Sequence, residues 1–275
     1  MFTLNCKGRL LAIDKPLVMG IINITPDSFY PGSRFTDIDS ILLHAEQMLK
    51  DGATILDIGG QSTRPGSIKI PEEEELQRVI EPINKIAETF PEAFISIDSF
   101  YSSVAKQAVQ AGACIINDIS GGSMDDKMIE TVSLLHVPYV LMHLKGTPQT
   151  MQQNPQYENV TREVLDFLIF KKTALHNAGI KDVIIDPGFG FGKTVEHNFE
   201  LLKNLSVFKM LDTPLLFGIS RKRMISKTLN LQTEETLNGT TVLNTIGLMN
   251  GASILRVHDV RQAKEAVELY IQTAS

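Results

Sequence analysis

The chain has 275 residues, 43% of them hydrophobic and 21% charged, with 19 Gly and 12 Pro; this is a globular composition that excludes intrinsic disorder and collagen-like or low-complexity chains. Folding at this length buries about three quarters of the chain's surface, so the core needs no disulfide or structural metal. A formal net charge of −6 argues against a broad nucleic-acid footprint, yet leaves room for a small basic pocket that takes an anionic metabolite.

Residues 1–14 alternate in polarity around Lys7, Gly8 and Arg9, which predicts a β-hairpin turning at Lys7–Gly8 rather than a signal peptide. From residue 17 onward short apolar runs alternate with amphipathic helical patterns. The runs are 17–23, 54–60, 94–99, 114–120, 138–143, 183–187, 214–220 and 253–259; helices are predicted near 38–51, 72–90, 101–112, 125–135, 158–179, 196–204, 221–250 and 261–273. Runs with so little alternation are strands covered on both faces, as in parallel sheets. Eight strand–helix units predict a (β/α)8 TIM barrel preceded by the hairpin, an α/β fold in which 1–275 form a single domain. A doubly wound sheet is the alternative, but GIINITP at 20–26 is not the glycine fingerprint that such a sheet carries after its first strand. No apolar run reaches membrane-spanning length. Cys6 and Cys114 fit no ligand spacing and read as reduced thiols, which implies a cytoplasmic protein.

Barrel chemistry sits at the carboxyl ends of the strands. There the runs place Asn23, Asp57, Asp98, Asn117 with Asp118, His143, Asp186, Ser220 with Arg221 and Lys222, then Arg256 and His258. Asp57 and Asp118 also suit loop-holding, and His143 a satisfied core position. Asp98, Asn117 and Asp186 offer acceptors and an amide, which suit a flat heterocycle with an amidine edge. Lys222, Arg256, His258 and Arg64 supply positive charge for a phosphate or diphosphate. The loops at 25–34 and 59–66 are rich in Gly and Pro and are lid candidates. DPGFGFGK at 186–193 has Pro187 where a phosphate-binding loop ending in Lys193 needs glycine, so it reads as a tight loop at the pocket floor. Lys222, flanked by Arg221 and Arg223, fits hydrogen bonding and anion contact better than a Schiff base.

The segments MGIINITPDSF at 19–29, DIGGQSTRPG at 57–66, SIDS at 96–99, NDISGG at 117–122, LMH at 141–143, DPGFGFGK at 186–193, GISRK at 218–222 and RVH at 256–258 together resemble the dihydropteroate synthases over essentially the whole chain. The resemblance implies a transferase of folate biosynthesis, from a family that sulfonamides inhibit. It would join (7,8-dihydropterin-6-yl)methyl diphosphate to 4-aminobenzoate and release diphosphate. The resemblance makes Asn23 a ligand of Mg2+ near the diphosphate, and Asp98, Asn117, Asp186 and Lys222 the pterin-binding set, with Met142 and Gly218 packed beside the ring. It makes Arg64, Arg256 and His258 the diphosphate anchors, places Thr63 and Pro65 beside 4-aminobenzoate, and implies a homodimer. Asp186, Lys222 and Asp98 would carry the catalysis. Two departures stand out: YPGS at 30–33 lacks the family's lid carboxylate, and Gln61 replaces the usual glutamate of its second loop. Two rivals are a pterin-binding methyltransferase, which needs neither the RVH segment nor Arg64, and a non-catalytic pterin-binding homologue.

Overall fold

The computed structural model describes residues 1–24, 38–62, 67 and 69–274. The predicted hairpin forms from β1 (Phe2–Cys6) and β2 (Arg9–Ile13), paired antiparallel. Lys7 and Gly8 both have positive φ, at 55° and 84°, the backbone that matches a two-residue turn to the twist of its strands. The buried face of the hairpin (Leu4, Cys6, Leu11 and Ile13) packs against Leu17, Met19, Ile55, Ile115, Val140, Ile184, Leu216 and Ile254. These belong to the early parts of the barrel strands, so the hairpin plugs the amino-terminal end. Polar ties hold it there: Lys7 Nζ donates to Val109 O at 2.7 Å, and the backbone N–H of Asn5 donates to Asp182 at 2.9 Å. Cys6 and Cys114 are free and buried in this plug.

The barrel strands are β3 (Leu17–Asn23), β4 (Ile55–Gly59), β5 (Phe94–Asp98), β6 (Ile115–Asp118), β7 (Tyr139–Met142), β8 (Val183–Asp186), β9 (Leu216–Phe217) and β10 (Ile254–Val257). All neighbours pair parallel, in the order β8-β7-β6-β5-β4-β3-β10-β9. A bridge between Ile185 and Leu215, with Ile185 N–H donating to Pro214 O at 3.0 Å, closes the ring. The eighth seam is short because Pro214 has no N–H to give, and because the chain after Phe217 turns away toward Lys222.

Helices α1 (Ile38–Lys50), α2 (Glu72–Thr89), α3 (Ser102–Ala111), α4 (Met128–Leu135), α5 (Val160–Asn177), α6 (Val195–Lys203), α7 (Arg223–Leu229), α8 (Leu237–Met249) and α9 (Val260–Ala274) surround it. The single helix expected over 221–250 is two helices. Asn230 takes left-handed φ 54° and caps α7 through its N–H to Ser226 O, and a short 3-10 turn over Thr233–Glu235 follows. An Asn that ends a helix in this conformation looks polar and helix-compatible in a periodicity count, which hides the break. Among the described residues no helix is long and apolar enough to cross a membrane.

Candidate active site

The barrel register brings the predicted polar residues to one rim. Asn23 is level with Gly59, Gly59 with Asp98, and Asp98 with Asn117, while Met142 is level with Asp186. Strand residues two apart share a face, so Asp57 lies one layer below Gly59 on its strand. Arg256 rises from β10 into this layer. Its Nε donates to Asp57 Oδ2 at 2.6 Å and a terminal nitrogen donates to Asp98 Oδ2 at 2.5 Å. Asn117 Nδ2 donates to the same Asp57 oxygen at 3.0 Å. Asp57, expected at the rim with loop-holding as the alternative, is a fully buried hub that orients a guanidinium and an amide at once. Its sequence signal was its place on a strand predicted to be buried on both faces. Arg256 thus sits among the acceptors rather than apart from them.

Asp186 Oδ1 accepts the backbone N–H of Gly188 at 2.7 Å. Gly218 follows β9 beside Asp186 and Arg256. After these contacts Asp98 Oδ1, Asn117 Oδ1 and Asp186 Oδ2 accept no hydrogen bond from any described residue. Three acceptor oxygens therefore remain at the barrel mouth for a ligand that brings donors. Burial pushes the carboxyls of Asp98 and Asp186 above the usual range; Arg256 opposes this at Asp98, and Lys222 opposes it first at Asp186.

Lys222 approaches Asp186 from the turn before α7. Its Nζ donates to Phe189 O and lies 4.6 Å from the centre of the Phe191 ring. Burial pushes its ammonium down to about 8, with Asp186 resisting, so the charged form still predominates at neutral pH. Lys222 is aimed by its neighbour Arg221, a non-glycine residue at φ 55°. Such a conformation persists only when surrounding contacts fix it. Here the Arg221 guanidinium grips Asp259 with bonds of 3.0 and 2.6 Å, and its backbone N–H donates to Thr240 Oγ1 at 3.1 Å. His258 stands beside this turn: Ser220 Oγ accepts its backbone N–H at 3.2 Å and meets its Nδ1 at 3.0 Å.

An apolar wall of Phe100, Ile119 and Met142, backed by Met124, Leu144 and Phe191, lines the rim. Of these only Met142 was singled out from the sequence; Phe100 and Ile119 follow Asp98 and Asn117 by two residues, which is the signal that would have found them. Asp118 points out of the barrel, where it accepts from Tyr139 Oη and from the N–H groups of Ser120 and Gly122 at 2.7 to 2.8 Å, and so holds its loop. Below the second loop, Gln61 accepts the N–H of Ile70 at 3.0 Å and donates to buried Glu75 at 3.4 Å. Thr63, Arg64 and Pro65, and the lid segment with residues 30–33, lie outside the described residues.

Asn23 ends β3 as a half-buried residue whose amide accepts no hydrogen bond from another described residue. Among the described residues no cluster of three or more His, Cys, Asp or Glu is placed to hold a metal. A hard cation such as Mg2+ commonly takes one or two protein oxygens and completes its shell with substrate phosphates and water. One unengaged amide oxygen at the end of β3, level with Gly59 and Asp98, fits that mode and does not fit an all-protein cage.

The sequence profile of the family described as "Pterin binding enzyme" matches residues 19–258. Dihydropteroate synthase of Escherichia coli K12 is 42% identical over 271 residues, covering 98% of this chain and 95% of the relative. That of Haemophilus influenzae is 40% identical, covering 99% of each. Among solved structures, a Yersinia pestis dihydropteroate synthase with a sulfonamide drug complex superposes with TM-score 0.94 at 38% identity over 99% of both chains. The Xanthomonas albilineans enzyme in complex with 7,8-dihydropteroate gives 0.90 at 36%, covering 100% of this chain and 99% of that one.

Proposed function

The chain belongs to the pterin-binding enzymes and, within them, to the dihydropteroate synthases, and from that premise we propose how its own residues perform the transfer. The reaction joins (7,8-dihydropterin-6-yl)methyl diphosphate to 4-aminobenzoate, with loss of diphosphate. The observation that carries the assignment of roles is the set of three unengaged acceptors, Asp98 Oδ1, Asn117 Oδ1 and Asp186 Oδ2. The amino-pyrimidinone edge of a pterin offers N–H donors in one plane, and a carboxylate accepts such pairs strongly. Met142 and its apolar neighbours cover a ring face, and Lys222 donates to the ring's acceptors.

As the carbon–oxygen bond to diphosphate breaks, positive charge develops on the exocyclic carbon and spreads into the ring. The Asp186 and Asp98 carboxylates stabilise that charge from fixed positions in a site of low dielectric. Arg256, His258 and Arg64 stabilise the departing anion. Asn23 would hold Mg2+, which when bound neutralises diphosphate charge. The amine of 4-aminobenzoate, flanked by Thr63 and Pro65, then attacks; being nucleophilic already, it needs no activated side chain.

A second copy of the chain covers α8, whose Val242, Ile246 and Met249 form an exposed apolar stripe at helical spacing beside exposed Leu229. The enzyme is a homodimer of the cytoplasm, where its two buried thiols stay reduced. The test of the activity is direct. The purified chain is incubated with the pterin diphosphate, Mg2+ and 4-aminobenzoate, and diphosphate and dihydropteroate are measured together. Equal amounts of both are expected; tight pterin binding with no diphosphate released would refute the catalytic reading.

A further inference from the structure

Lys193 is among the most deeply buried charged residues of the chain, at 2% exposure, and has no place in the chemistry above. Its Nζ has three N–H groups as an ammonium, and the structure gives them three close acceptors: His143 Nδ1 at 3.0 Å, Gly188 O at 2.8 Å and Phe191 O at 3.1 Å. No carboxylate bonds it. A buried cation without a bonded counterion is costly, and burial does push this ammonium well below its ordinary range. A methionine-like side chain would fill the same space without that cost.

The acceptors show what the Lys193 amino group organises. Gly188 and Phe191 bracket the loop after β8, and that loop contributes three groups to the pocket. The Gly188 N–H holds Asp186 Oδ1, Phe189 O receives Lys222 Nζ, and the Phe191 ring lies beside the same ammonium. Gly188 is at φ 72°, and a Cβ there would stand 2.0 Å from His143 O, so the loop is wedged against the end of β7. His143 closes the arrangement from that strand, its N–H donating to Asp186 O at 3.1 Å. Its ring is pushed down to about 2 by burial and by Lys193, so it stays neutral and can accept through Nδ1.

Resting on the pterin-site reading, we infer that Lys193, with His143 as its acceptor, is a positioning residue for pterin recognition: it pins the 188–191 loop so that Asp186 and Lys222 meet the ring. It touches no substrate and acts through those two residues.

The test measures calorimetric affinity for a bare pterin, together with the separate KM values for pterin diphosphate and 4-aminobenzoate. Lys193→Met is expected to weaken pterin affinity by about tenfold and to raise the pterin-diphosphate KM alike, the scale of one lost buried hydrogen bond. The KM for 4-aminobenzoate should move less than about twofold, within the scatter of distant sites. In a cycle with Lys222→Met the two losses should be clearly sub-additive, because Lys193 works through Lys222. Additive losses, or an unchanged pterin affinity, overturn the proposal. Should Lys193→Met not fold, the His143 pair decides. His143→Leu removes the acceptor and should weaken pterin binding, while His143→Asn sets an amide oxygen near the Nδ1 position and should restore it; equal affinities of the two overturn the proposal. A wild-type chain that binds no pterin refutes the site reading itself, a result distinct from a wild type that binds and a Lys193→Met that is unaffected.

Discussion

Arg256 and Asp57 are separated by 199 residues, yet Nε of the one lies 2.6 Å from Oδ2 of the other at the heart of the barrel. The same guanidinium also holds Asp98, so one cation lies between two carboxylates that would otherwise face each other. Removing one partner of a buried pair costs about 3–5 kcal/mol, because the other charge is left uncompensated. Arg256→Ala is therefore expected to lower unfolding free energy by about that amount, less a discount for its partial exposure. It should also weaken the diphosphate substrate more than a bare pterin. Denaturant titration and calorimetry with both ligands check this; unchanged stability would mean that the ion pairs contribute nothing net.

Asp186→Asn tests the acceptor set. The asparagine oxygen can keep the Gly188 N–H, but its amide nitrogen then meets the donor edge of the pterin. An unsatisfied buried donor costs about 1–3 kcal/mol, so pterin affinity should fall about tenfold or more while the fold survives. Calorimetry with a bare pterin at fixed pH reads the loss, and an unchanged affinity would move the ring elsewhere in the barrel.

Glu75 gives a pH signature. It is fully buried, its Oε1 lacks a partner, and burial pushes its carboxyl up to about 8. Between its ordinary value and about 8 the folded chain holds a proton that the unfolded chain has released, so stability falls as pH rises through that window. The contribution is complete below the unfolded value and gone above about 8, at a slope of about 1.4 kcal/mol per pH unit. Glu75→Gln should flatten this part of the profile; thermal unfolding across about pH 5 to 8 reads it, and parallel profiles for the two chains would contradict it.

Chelating Mg2+ should weaken binding of the pterin diphosphate and leave a bare pterin unaffected. Asn23→Ala should do the same at limiting Mg2+ and be rescued in part by excess metal, since the missing ligand is one oxygen among several. Loss of bare-pterin binding in either experiment would place Asn23 in the ring pocket instead.

If the proposed dimer forms through α8, Ile246→Glu together with Met249→Glu, which introduces charge into its exposed stripe, should yield a folded monomer, as read by sedimentation. An unaltered mass would move the interface to another face.

The sequence by itself determined the barrel. Its eight runs are apolar enough to require cover on both faces, and the intervening helical patterns force parallel crossovers. It also placed Asn23, Asp98, Asn117, Asp186 and Arg256 at strand ends, because a parallel barrel puts every strand's carboxyl end at one rim. Local turn chemistry was legible where one residue type dominates, as at Lys7–Gly8, and was not legible at Asn230, where a polar residue ends a helix without breaking its periodicity. What only the tertiary structure decided is which polar groups spend their hydrogen bonds on one another. Asp57 became the hub for Arg256 and Asn117, Lys193 turned from a discarded phosphate-loop lysine into a buried clamp on His143 and its own loop, and Asp118 turned outward to hold its loop. Those partnerships depend on strand register and on residues far apart in the chain, and linear spacing contains neither.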